Sequence, residues 1–180
     1  MDGVFCDENK SCTIDFSAAP WPSSYTIHSW ISYSSRPIPY VFHEAKLFVL
    51  SDVDFVAETE NELLLVEYKN ANLSNAAHPE AFRPLEDKRL NRVAMKYYNS
   101  LQFLQVMNHG IDKKKRYVYI LECLNGDRVL RKRVRELLAA RLPFLLQQQM
   151  HMPRKMIDSV DVFSIEEWNE AYPDFPLRLQ

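Results

Sequence analysis

Glycine is scarce in this chain, with 3 in 180 residues. A loop that cradles phosphate through backbone N–H groups needs several glycines close together, because a Cβ would block the approach. Gly3, Gly110 and Gly126 stand far apart, which excludes nucleotide-binding loops of the P-loop and Rossmann kinds. Cysteine is equally rare. Cys6, Cys12 and Cys123 are odd in number and lack the spacing of a zinc knuckle, so reduced thiols and no structural zinc are expected. No apolar run approaches the ~20 residues of a membrane-spanning helix. The opening MDGVFCDENK has neither the basic nor the apolar region of a secretion signal, and a cytoplasmic location with no membrane partner is expected. His78, His109 and His151 are scattered without partners at metal spacing, and no serine or cysteine triad can be assembled from them.

What the chain does have is apolar content of 47 %, enough for one cored domain over residues 1–180. Its core is expected at about 23–123 and a carboxyl-terminal extension at about 124–180. Net charge is only −2, but its distribution is uneven. Residues 1–82 hold 4 Lys+Arg against 12 Asp+Glu, residues 83–141 hold 15 against 6, and residues 142–180 hold 3 against 6. Two basic runs fall in the middle segment. Lys113, Lys114, Lys115 and Arg116 form one; Arg131, Lys132 and Arg135 belong to the other. They are candidates for phosphate contacts, weighed against a solvated helix face and a basic loop.

Periodicity sets out the elements. Residues 1–22 read as an irregular lead-in with an extended piece at CTIDF. Ser23 or Ser24 can cap a helix through about Ser34, stopped by Arg36-Pro37-Ile38-Pro39. Extended stretches follow at Tyr40 to His43 and Lys46 to Leu50, then a hairpin. A loop from Asn70 to Pro84 leads to a long helix from Glu86 to Asn108, whose apolar positions Leu90, Val93, Ala94, Tyr97, Leu101 and Leu104 recur at three and four. Gly110 is expected to end it. RYVYILEC reads as a strand, Asp127 can cap a helix to about Leu142, broken by Pro143, MIDSVDVF is extended, and Ser164 with Glu167 forms a capping box for a helix to Ala171. Trp21, Trp30 and Trp168 stand in apolar neighbourhoods and are expected to fill cores.

The chemistry concentrates in SDVDFVAETENELLLVEYKNA, residues 51–71. In a strand Glu67 and Lys69 project to the same side. If Glu60 and Asn61 occupy the turn of a hairpin, Asp54 falls opposite Glu67, with Cβ atoms roughly 4.5–5.5 Å apart. Two carboxylates so placed repel each other unless a proton or a cation lies between them. Oxygen ligation without thiolate or paired His selects Mg or Mn over Zn. A structural salt bridge at a strand end is the bland alternative.

The order Asp, short hairpin, Glu-x-Lys resembles the PD-(D/E)xK nuclease superfamily, best over residues 51–72 and more loosely from the first helix to the strand near Tyr119. The resemblance implies an α/β fold with a restriction-endonuclease-like core: a mixed central sheet flanked by helices in αβββαβ order, here with helix and strand additions at the carboxyl end. It further implies hydrolysis of phosphodiester bonds in nucleic acid, DNA or RNA, with Asp54 and Glu67 binding Mg or Mn and Lys69 serving the attacking water. Val53 stands where the motif's name has Pro. His28 on the first helix, Glu44, Asp52 and Lys96 are supporting candidates: His28 near the metal or simply a helix histidine, Glu44 approaching the same edge, Asp52 behind Asp54 or solvated, Lys96 on a phosphate or snorkelling beside core tyrosines. Asn70 and Asn72 continue the Glu-x-Lys strand toward substrate or cap its turn. A catalytically silent nucleic-acid-binding module and an assembly subunit, with a homodimer as one candidate assembly, are the rival functions.

Overall fold

The computed structural model of the chain describes residues 4–6, 12–15, 26–28, 50–72 and 79–179. Eight strands and four helices are built from them: β1 (Val4–Cys6), β2 (Cys12–Asp15), β3 (Thr26–His28), β4 (Phe55–Glu58), β5 (Glu62–Asn70), α1 (Asp87–Val106), β6 (Lys114–Glu122), α2 (Arg128–Ala139), α3 (Phe144–Gln149), β7 (Ser159–Phe163), α4 (Ile165–Ala171) and β8 (Leu177–Leu179). The fold is mixed α/β. A five-stranded sheet runs in the order β3-β4-β5-β6-β7, and a smaller one in the order β1-β2-β8.

β3, β4 and β5 form an antiparallel meander, whereas β5, β6 and β7 are parallel. Parallel neighbours cannot be joined by a tight turn, so each needs a crossover. α1 supplies the first, α2 and α3 the second. The strands are apolar on both faces because both are covered. One face carries Val56, Leu63, Leu65, Tyr117, Tyr119 and Leu121 against α1 residues Leu90, Val93, Ala94, Tyr97, Leu101 and Leu104 and α2 residues Val134 and Leu138. The other carries Phe55, Leu64, Val66, Val118 and Ile120 against Trp168 of α4, Leu177 of β8, and Cys12 and Ile14 of β2.

Several expectations change. The helix expected from Ser23 or Ser24 to Ser34 is contradicted at Thr26–His28, which pair with Val56, Ala57 and Glu58 as the edge strand β3; the remainder of that segment lies outside the described residues, as do Tyr40 to His43 and Glu44. Gly110 does not end α1. The helix stops at Met107, Asn108 takes the left-handed turn at φ 62°, and Gly110 repeats it at φ 61°. Asp127 caps α2 through Leu130 N at 2.7 Å, and the Ser164–Glu167 capping box of α4 is present. No described helix is long and apolar enough to cross a membrane.

Candidate functional site

The hairpin register places the two acids face to face. Phe55 pairs with Val66, and Val56, Ala57 and Glu58 pair with Leu65, Leu64 and Leu63, so one step outward Asp54 meets Glu67 across the ladder. Thr59 closes the turn: its Oγ1 accepts from Glu62 N at 2.9 Å and its N–H donates to Glu62 O at 2.8 Å. Asp54 sits in a bend just ahead of β4 and is held by a backbone donor, Tyr68 N to Asp54 Oδ2 at 2.7 Å. Glu67 is buried, at 6 % exposure.

α1 covers this pair with a polar edge to its apolar face. Lys96 Nζ lies 2.8 Å from Glu67 Oε2 and 3.7 Å from Asp54 Oδ1. Asn99 Nδ2 donates to Ser51 O at 3.0 Å, and Ser100 Oγ accepts from Val53 N at 3.0 Å. Positions 96, 99 and 100 share one helix face, so three consecutive polar contacts fix the segment that delivers Asp54. Sequence reasoning missed Asn99 and Ser100 as positioning residues. Their signal is small polar side chains at three and four from Lys96, on the border of an apolar stripe.

Beneath the acids lie two tyrosines. Tyr119 is level with Glu67 on β6, and Tyr117 donates its hydroxyl to Val93 O at 2.8 Å. Burial, with the Glu67 carboxylate adding to it, pushes both phenols up, so they remain protonated. Glu67 itself is raised well above an ordinary carboxylate. Burial is the main cause and the Asp54 charge adds to it, while Lys96 offsets part of the rise. That is the behaviour of two carboxylates held close in a dry pocket.

Lys69 projects from the same face of β5 as Glu67 but one row further out, where it is exposed and makes no ion pair or hydrogen bond among the described residues. The ammonium in contact with the acids is that of Lys96. Asp52, weighed as a solvated neighbour, is instead buried at 7 % exposure. His28 lies on β3 rather than on a helix, so its expected place beside the metal is not reached from a helical face. Asn70 and Asn72 do form a local cap, Asn72 N donating to Asn70 Oδ1 at 2.8 Å. No match to this chain was found among protein-family models, curated proteins or solved structures.

The basic runs divide. Lys113 pairs with Glu58 at 2.8 Å, Arg116 with Glu62 at 3.1 Å, and Lys115 is 2 % exposed with its ammonium on the carbonyls of Ile111 and Lys113. Only Lys114 of that run is exposed. On α2, Arg131 pairs with Glu167 at 2.9 Å and Arg135 approaches Asp161 at 3.7 Å, while Lys132 is exposed. Together with Arg128 they line a groove along the β7 edge.

The donor set can be tested against a divalent ion. Among the described residues no three His, Cys, Asp or Glu side chains cluster as a complete metal cage. Two facing carboxylates suit Mg or Mn, which take one or two protein carboxylates and fill the remaining positions with water and substrate phosphate oxygens. They do not suit a closed zinc site.

Proposed function

We propose that this protein is a Mg- or Mn-dependent nuclease of the PD-(D/E)xK kind, with a restriction-endonuclease-like core, that hydrolyses phosphodiester bonds in nucleic acid. One observation carries the reading: a carboxylate at the start of one strand faces a buried carboxylate on the next, with an ammonium in contact with both. Two acids this close repel each other, Lys96 offsets only part of the rise at Glu67, and a divalent cation between them would remove that repulsion. Three antiparallel strands followed by a helix and a parallel strand support it as well, matching the βββαβ part of the order the resemblance implies, though Thr26–His28 is a strand where the opening helix was expected.

In this reading Asp54 and Glu67 hold the cation, which when bound supplies charge neutralisation at the phosphoryl oxygens and a more acidic water. Lys69, exposed one row beyond Glu67, orients the attacking water and stabilises developing charge. Tyr68 N fixes one oxygen of Asp54, leaving the other toward Lys96 and the open end of the pair. The buried tyrosine floor excludes water from beneath.

Purified protein should cleave single- or double-stranded DNA or RNA when Mg or Mn is added and not with EDTA. Asp54→Asn, Glu67→Gln and Lys69→Ala should each lower the rate by about 100-fold or more. Cleavage unchanged in all three variants would remove the site from the mechanism. Salt-sensitive nucleic-acid binding without metal-dependent cleavage would select the silent binding module instead.

A further inference from the structure

Among the described residues, Lys115 is a cation that no carboxylate meets. It is 2 % exposed, and two of its three N–H groups go to neutral acceptors in the turn between α1 and β6, Ile111 O at 3.0 Å and Lys113 O at 2.8 Å. The third has no acceptor among the described residues. Both nearby acids are engaged elsewhere: Asp112 pairs with Arg154 at 2.8 Å, while Asp158 takes Lys115 N at 2.9 Å on one oxygen and Lys155 at 3.4 Å on the other. A buried charge is costly unless an opposite charge meets it. Burial accordingly pulls the Lys115 ammonium below its ordinary range, the Asp158 and Asp112 charges offset part of the fall, and Arg154 adds to it.

The side chain borders a cavity of about 300 Å³ between the start of β6 and the segment 153–158, with Lys114, Arg154 and Lys155 around it. That volume is at the small end for a ligand site. The charges around the cavity decide what kind of ligand fits. Lys113 is matched by Glu58, Arg154 by Asp112 and Lys155 by Asp158, whereas exposed Lys114 and buried Lys115 are matched by no acid among the described residues. Two positive charges are left over. Inorganic phosphate or a phosphate monoester brings about −1.5 to −2 at neutral pH, and a phosphodiester only a single charge.

We propose that the cavity at the amino end of β6 binds a small phosphate dianion, inorganic phosphate or a compact phosphate monoester, with the Lys115 ammonium as its floor and Lys114, Arg154 and Lys155 as its rim. Lys115 gives its third N–H to a phosphate oxygen, and Arg154 adds a guanidinium able to hold two oxygens at once. The Lys115 row lies four residues before Tyr119, the β6 partner of Glu67, which is about 13 Å along the strand. This site is therefore separate from the acid pair and does not depend on the nuclease reading. Asp158 N donates to Lys115 O at 2.8 Å as its carboxylate accepts from Lys115 N, so the cavity wall is fixed by the pairing of β6 with the chain entering β7.

The test is isothermal titration calorimetry at neutral pH and constant ionic strength, with inorganic phosphate, glycerol phosphate as a monoester and dimethyl phosphate as a diester. Wild-type protein should bind one dianion per chain, about tenfold or more tightly than the diester. Preference for inorganic phosphate assigns the site to the free ion and preference for glycerol phosphate to an esterified ligand; either supports it. Lys115→Met should weaken dianion binding about tenfold or more. Lys114→Ala, at an exposed position, should weaken it about threefold and guards against a Lys115 variant that fails to fold. Lys88→Ala removes an exposed lysine at the opposite end of α1 and should change nothing. A melting temperature raised more by phosphate than by chloride of equal ionic strength, in wild type but not in Lys115→Met, is a second readout. Equal affinity for diester and dianions, or binding weakened as much by Lys88→Ala as by the Lys114 and Lys115 changes, would show charge screening alone and overturns the site. So does the absence of phosphate binding by folded wild-type protein.

Discussion

Glu58 and Glu67 are buried carboxylates on one hairpin, and their surroundings drive them in opposite directions. Burial acts to raise Glu58, but the Lys113 ammonium at 2.8 Å, the Gly110 N–H at 3.0 Å and the His109 ring at 2.9 Å outweigh it and hold the carboxyl at about 2. A depressed acid stabilises the fold above its unfolded value of 4.5, and that contribution is lost as pH falls toward 2. Glu58→Gln should therefore cost on the order of 3 kcal/mol at pH 7, shrinking progressively below pH 5, as read by urea denaturation. Glu67 has the reverse sign. Its folded value is raised, so it favours the fold below the unfolded value and loses that contribution as pH rises. Glu67→Gln should raise the melting temperature of metal-free protein at pH 8 relative to wild type, with a smaller gain at pH 5. A wild-type protein more stable than the variant at pH 8 would mean that Lys96 more than compensates the burial and repulsion.

Between α1 and β6 the chain must reverse direction in a few residues and bring Glu58 its donor. Asn108 and Gly110 both adopt positive φ, and a Cβ built on Gly110 would lie 2.5 Å from Leu63 Cδ2. Backbone conformation and close approach each demand glycine there. Gly110→Ala should destabilise by about 1–3 kcal/mol, lowering the urea midpoint without changing the slope. The same stretch shows where reading the sequence stops. The apolar stripe of α1 was legible because six buried positions repeat at three and four, and the Asp54–Glu67 register because two turn residues and period-2 alternation leave little freedom. The end of α1 was not, because the more visible Gly110 masks Asn108. Thr26–His28 joins β4 although Ser23 and Ser24 ahead of it suggest a helix cap, and pairing with a neighbour decides it rather than local propensity. α3 and β8 are too short for periodicity; α2 does end before Pro143, as read, but the same proline also opens Phe144–Gln149. Lys96 shares no strand with the acids, so its contact with them exists only once α1 packs on the sheet.

Across the molecule, the acidic and basic segments are interleaved by folding. The Lys113–Arg116 run enters β6 and ties down Glu58, Glu62 and the turn after α1, so three of its four charges already serve the fold. α2 begins at Arg128, directly after the loop leaving β6. Because β5, β6 and β7 are parallel, that loop lies at the same end of the sheet as Glu67, the end where α/β sheets place their ligands. On the proposed nuclease reading, phosphate contacts outside the acid pair should therefore come from α2, not from the more basic-looking run. Lys132→Glu and Arg135→Glu should weaken nucleic-acid binding similarly across sequences and lower the slope of log affinity against log salt by about one unit each, with stability little changed. Lys113→Ala should do the opposite, leaving the salt slope intact while reducing stability through Glu58. Filter-binding titrations over a range of salt, beside urea denaturation of the same variants, separate the two outcomes. A salt slope that follows Lys113 and ignores α2 would place the phosphate track at the amino end of β6, away from Asp54 and Glu67, and the acid pair would then have no bound backbone to cut.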